Sequence, residues 1–61
     1  MKIYNLTSQP LAYKGHMIPA NGGCITLPDN TFIPTRDRKL IEQKKISIGN
    51  LPAWWLADQV R

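Results

Sequence analysis

One cysteine and one histidine in 61 residues restrict what can hold this chain together. Cys24 has no second cysteine with which to close an internal disulfide. Cys24 and His16 together fall short of the usual ligand set of a structural zinc site. A domain of this size buries only about 60% of the surface its unfolded chain exposes, so its core is marginal without a staple. With disulfide and metal set aside, the remaining staple is association, with copies of itself or with another protein.

Polar and apolar residues alternate over Lys2-Ile3-Tyr4-Asn5-Leu6, which predicts a strand. Thr7-Ser8-Gln9-Pro10 carries turn chemistry, and Leu11-Ala12-Tyr13-Lys14 predicts a second strand. Gly15 permits a tight reversal into a short strand at His16-Met17-Ile18. Pro19-Ala20-Asn21-Gly22-Gly23 is the strongest turn signal, because Asn-Gly supplies the positive φ angles of hairpin turns. Cys24-Ile25-Thr26-Leu27 predicts another strand, closed by Pro28-Asp29-Asn30. Residues 35–43 then lack Gly and Pro and are rich in helix formers. Thr35 suits the N-cap, Asp37 suits the first turn, and Leu40 and Ile41 are expected to face the sheet. Lys45-Ile46-Ser47-Ile48 predicts the last strand, Gly49-Asn50 ends it, and Pro52 can sit in the first turn of a helix over 53–60.

The expected fold is a single small β-rich domain, built as a β-barrel-like or bent antiparallel sheet. One short helix precedes the last strand. The β-rich core spans 1–48, and 49–61 forms a C-terminal helix or arm. Barrel closure removes exposed strand edges, although open edges that pair between subunits serve equally well.

Catalytic chemistry is sparse. Cys24 and His16 flank the Asn21-Gly22-Gly23 turn, so contact across strands is conceivable, but a small apolar strand residue and a surface histidine is the favoured reading. Asp29, Asp37, Glu42 and Asp58 fall at spacings that suggest solvated turn and helix positions, and a chain this short has no room for a useful pocket. Gly22-Gly23 is too short to cradle a phosphate. The expectation is no enzyme, no cofactor and no metal site. No apolar run approaches the roughly 20 residues of a membrane span. Met1-Lys2-Ile3-Tyr4-Asn5 lacks the apolar region of a signal peptide. A soluble protein made and used in a cytoplasm is expected, and a lone cysteine agrees with a reducing compartment.

The net charge is +4, and Arg36, Arg38, Lys39, Lys44 and Lys45 fall within ten residues. This cluster reads as phosphate-tracking cations or, in the favoured reading, as a solvated helix face whose long stems cover apolar surface. Tyr4 and Tyr13 sit on predicted strands without the interleaved aromatics of a nucleic-acid sheet.

The segment Leu51-Pro52-Ala53-Trp54-Trp55-Leu56-Ala57 carries the most information. As a helix it is apolar around its whole circumference and must be buried on more than one side. Its two indoles alone offer roughly 300–500 Å² for burial. Either both close the core of the monomer or, as favoured here, they anchor an interface, where Trp is enriched. The interface anchors expected are Leu51, Pro52, Trp54, Trp55 and Leu56, with Pro52 fixing how the arm leaves the sheet. Arg36, Arg38, Lys39, Lys44 and Lys45 are the candidate electrostatic contacts; of these, Arg36, Arg38 and Lys39 are expected to meet an acidic surface on the partner, acting on orientation and on-rate more than on affinity.

Tyr13-Lys14-Gly15-His16-Met17-Ile18-Pro19-Ala20-Asn21-Gly22-Gly23, followed by Ile25-Thr26-Leu27-Pro28 and then Leu40-Ile41-Glu42-Gln43-Lys44-Lys45-Ile46, resembles a pattern in small accessory structural proteins of tailed bacteriophages and prophages. The resemblance spans about residues 11–48 and carries no catalytic or ligand motif. It implies a minor virion structural protein of the head-associated or head–tail type, a capsid decoration or cement subunit. Such a subunit docks apolar surface on the major capsid protein and on its own copies. It also implies a small β-barrel oligomer located in the virion, and in the host cytoplasm during assembly. The alternatives are a small basic nucleic-acid-binding β-barrel and a phage-encoded inhibitor that docks on a host protein.

Overall fold

A computed structural model describes residues 1–59. It is a small β-rich fold of five short strands in two antiparallel sheets, with two helices. Strand β1 (Lys2–Asn5) lies at the centre of a three-stranded sheet between β4 (Cys24–Thr26) and β5 (Ile46–Ile48). Ile3 is opposite Ile25 on one side and Ile48 on the other. Strands β2 (Leu11–Tyr13) and β3 (His16–Ile18) form a separate hairpin, with Leu11 opposite Ile18 and Tyr13 opposite His16. Lys14 and Gly15 form its two-residue turn with φ of 48° and 78°, the paired positive values whose twist matches the strands they join.

The Asn21-Gly22 turn behaves differently from the hairpin the sequence predicts. Both residues do have positive φ, 57° and 88°, and Gly23 N–H donates to Ala20 O across the turn at 3.3 Å. Yet β3 and β4, which it joins, lie in different sheets and do not pair. The turn instead continues the β1 ladder: Asn5 N–H donates to Gly23 O at 2.9 Å, Gly22 N–H to Asn5 O at 2.7 Å, and Asn21 N–H to Thr7 O at 2.8 Å. Local turn chemistry set the backbone angles, and tertiary pairing with β1 chose the partner.

Helix α1 (Thr35–Glu42) precedes β5 as expected, but Thr35 is not its cap. Pro34 takes the N-cap position in an extended conformation (φ −62°, ψ 155°), and no side chain caps the helix. The Pro34 carbonyl accepts from Asp37 N–H at 3.0 Å and Arg38 N–H at 3.2 Å. The proline ring fixes the cap φ itself, which moves Thr35 into the first turn. Only Leu40 of the expected pair packs against the core; Ile41 is 37% exposed. A helix of eight residues touching the sheet through β5 has room for one such ridge. The helix ends in a Schellman motif: Lys45 N–H reaches Leu40 O at 2.9 Å and Lys44 N–H reaches Ile41 O at 3.0 Å. Lys44 holds the left-handed position of that motif, φ 61°, where glycine is the usual residue.

Ile3, Tyr13, Ile18, Leu27 and Ile46 make the buried core, drawn from both sheets. Met1, Leu11, Ile25, Leu40 and Ile48 pack around it, half-buried. One polar residue, Asn5, is fully buried beside them. Its Nδ2 donates to Gln9 O at 2.8 Å and Ile18 O at 3.1 Å, while its Oδ1 accepts from Thr7 N–H at 2.9 Å and Thr7 Oγ1 at 2.7 Å. Asn5 thus follows the outward–inward alternation of β1 as an inward position, but does so with every polar atom engaged. The Met1 ammonium donates to Leu27 O and Asp29 Oδ1, both at 2.6 Å, and that bond holds the Asp29 carboxyl below its usual range.

Candidate docking surface

Helix α2 (Ala53–Gln59) follows β5 after a short reversal. Gly49 turns the chain at φ 90°, its N–H donates to Lys2 O at 2.8 Å, and Ser47 Oγ bonds to Asn50 O. Pro52 stands just before the helix, and its carbonyl accepts from Trp55 N–H and Leu56 N–H at 3.1 Å each. The expected helix ran on to Val60, which lies outside the described residues, as does Arg61.

The three bulky residues of α2 are successive, so they point about 100° apart around the helix. Trp55 faces the domain. A Cβ placed on Gly22 would stand 2.6 Å from Cη2 of its ring, so the outer end of the indole packs against Gly22 in the turn. Trp54 and Leu56 fall on the two flanks of Trp55 and stay 43% and 46% exposed. Leu51 and Pro52 are half-buried. Among the five expected anchors, then, Trp55 contacts the chain itself, and Trp54 and Leu56 stand at the surface on opposite sides of it.

The five cations of residues 36–45 are all exposed. Arg36 Nε lies 3.7 Å from Asp37 Oδ1. Lys44 Nζ stands 5.3 Å from the centre of the Trp54 ring, within the range of a cation–π contact, so the end of α1 and the start of α2 meet there. Asp37 corrects the expectation of a solvated carboxylate. It is half-buried and accepts the Tyr13 hydroxyl at 3.1 Å. Burial first, and the Asp37 carboxylate second, push the Tyr13 phenol up to about 12. Cys24 lies on β4, on a strand as expected, with its side chain exposed. His16 is exposed on β3, in the other sheet.

Two surface features escaped the sequence reasoning. Phe32 is 76% exposed, in the loop between β4 and α1. That loop is braced by Thr31, whose N–H and hydroxyl both donate to Pro28 O. Prolines at 28 and 34 around polar residues already mark the loop, so an aromatic placed within it was the available signal. The second is the lysine in a glycine position at the end of α1, which no pattern in the sequence announces.

The described residues enclose no cavity and hold no cluster of three or more His, Cys, Asp or Glu side chains. None of their helices is long and apolar enough to cross a membrane. What the surface offers is apolar area next to cations. Comparisons with family models, with curated proteins and with solved structures find no match to the chain.

Proposed function

We propose that the chain is a non-enzymatic structural subunit of a tailed-phage virion. It acts as a capsid decoration or cement protein, or as a head–tail-associated subunit, docking through α2. The observation that carries the reading is the exposure of Trp54 and Leu56 on both flanks of Trp55. The domain covers one side of an apolar helix and leaves two sides for others to cover. The resemblance over residues 11–48 supports the virion as the assembly and the major capsid protein as the main partner. Further copies of the chain complete the contact. The position of β3 beside β1 and β4 supports a barrel-like unit as the rigid body that presents the helix.

The test is co-sedimentation of the purified protein with shells assembled from the capsid protein of the phage or prophage encoding it. Wild type is expected to pellet with the shells. Trp54→Ala and Leu56→Ala are expected to release it while changing thermal stability little, since both side chains are half outside the fold already. Wild-type protein that stays monomeric and in the supernatant overturns the proposal.

A second reading has one observation in its favour: Arg36, Arg38, Lys39, Lys44 and Lys45 are all exposed along one stretch. A basic nucleic-acid-binding domain requires affinity for DNA or RNA that falls steeply with salt, and loss of that affinity in the multiple alanine variant. No gel shift at low salt removes it.

A further inference from the structure

We propose that the segment received at the α1–α2 junction is acidic and carries an apolar side chain, and that Lys44 donates to its carboxylate beside Trp54. The inference rests on the docking role given to α2 and adds the chemistry of the partner.

Lys44 is held in place by the fold. It occupies the left-handed position that ends α1, φ 61°, so its side chain leaves the helix in a direction that no helical residue shares. Its ammonium stands over the ring of Trp54 at 5.3 Å. Ile41, whose carbonyl accepts the Lys44 N–H at 3.0 Å, is itself exposed at the same end of α1. Apolar, cationic and apolar groups therefore follow one another across the junction. The ion pairs among the described residues are Met1–Asp29 and Arg36–Asp37, so Arg38, Lys39, Lys44 and Lys45 have no carboxylate within ion-pair distance there.

Covering this junction means taking the Lys44 ammonium out of water. A neutral or basic partner leaves that charge uncompensated, whereas a carboxylate restores it at short range in a drier setting. A second copy that sets its own junction against this one through a two-fold axis brings the same cations face to face, which is repulsive, so further copies join the assembly through other parts of the surface. Nucleic acid supplies the negative charge, but it stacks bases on open aromatic faces, and Lys44 occupies one face of this indole. An acidic protein segment satisfies the charge and the apolar surface together. Lys44 is thus assigned a contact that sets affinity, unlike the steering role expected of Arg36, Arg38 and Lys39.

The probes are a short synthetic peptide of Glu, Asp, Leu and Ala, the same peptide with Lys in place of its acids, and a single-stranded oligonucleotide of equal negative charge. Tryptophan emission is read on the full chain. The acidic peptide is expected to shift the emission, less so as salt rises, and Lys44→Met is expected to weaken it about tenfold. No response to the acidic peptide, equal binding of the basic peptide or the oligonucleotide, or an unchanged Lys44→Met affinity each overturns the proposal. So does a doubling of mass in solution that Trp54→Ala abolishes and Lys44→Met leaves intact. Shell co-sedimentation separates the two readings. If Trp54→Ala and Leu56→Ala release the protein and Lys44→Met does not, docking by α2 stands and the acidic partner falls. If none of the three does, both fall.

Discussion

Asn5 Nδ2 donates to the carbonyl of Ile18 at 3.1 Å, and this one bond joins the centre of the three-stranded sheet to the last residue of the β2–β3 hairpin. The same side chain closes the Thr7–Gln9 turn through three further bonds. A core of five buried apolar residues is small, so a polar residue that locks two sheets in register has a disproportionate share in defining the structure.

Asn5→Ala leaves the Thr7 amide without its side-chain acceptor and takes the Nδ2 donor away from the Gln9 and Ile18 carbonyls, in a site where water has little access. The expected loss is about 3 kcal/mol, set by the desolvation of the orphaned groups. Urea unfolding followed by circular dichroism measures it. A midpoint equal to that of wild type shows that the two sheets do not depend on this side chain.

Gly22 and Gly15 provide a matched comparison. Both have positive φ, 88° and 78°, so alanine is strained at either by about 1 kcal/mol. Around Gly15 nothing lies within 4 Å of an added Cβ, whereas at Gly22 the Trp55 ring does. Gly22→Ala is expected to cost about 1–2 kcal/mol more than Gly15→Ala, and to red-shift tryptophan emission as α2 lifts. Equal melting temperatures in the two variants show that Trp55 does not rest on the turn.

Tyr13 couples stability to alkaline pH. Its phenol is raised from 10 to about 12 in the folded chain, so the neutral form is the one the fold favours. The resulting stability is fully present below pH 10 and is lost as pH climbs through 12. Its size is on the order of 1–2 kcal/mol, and Tyr13→Phe is expected to flatten that part of the profile. Unfolding midpoints measured between pH 9 and pH 12 on both proteins decide it, at roughly half-unit steps.

Lys44→Gly relieves the left-handed backbone and forfeits the contact with Trp54. The first effect is worth about 1 kcal/mol and the second about 0.5 kcal/mol, so a small net stabilisation is expected. In a Trp54→Ala background only the first remains, and the gain should be larger. A destabilised Lys44→Gly protein in that background contradicts the backbone argument.

Much of this fold is legible in the sequence. Alternation marked β1, and Gly15 marked the reversal between β2 and β3, although Lys14 was expected in the strand and sits in the turn; period and turn chemistry are properties of a few neighbouring residues. Asn21-Gly22 gave the right backbone angles and the wrong pairing, since the partner strand lies some 16 residues earlier in the chain. Thr35 had cap chemistry but stood behind a proline that had already fixed the cap. Ile41 was assigned to the sheet face by its neighbour Leu40, and only the narrowness of the α1 contact separates them. At the docking surface, the apolar character of α2 was visible in Trp54, Trp55 and Leu56. Which of the three turns inward depends on Gly22, a contact between distant parts of the chain.

The central place of β1 also governs when the molecule can form. Its partners are distant, with Ile3 opposite Ile25 and Ile48. Among the described residues, the β2–β3 hairpin is the one strand pair within immediate reach along the chain. During synthesis the first strand must therefore wait, unpaired on one side, until β5 has cleared the ribosome. Such dependence on remote pairings predicts sluggish folding for so short a polypeptide, and a nascent-chain stage in which the hairpin stands alone.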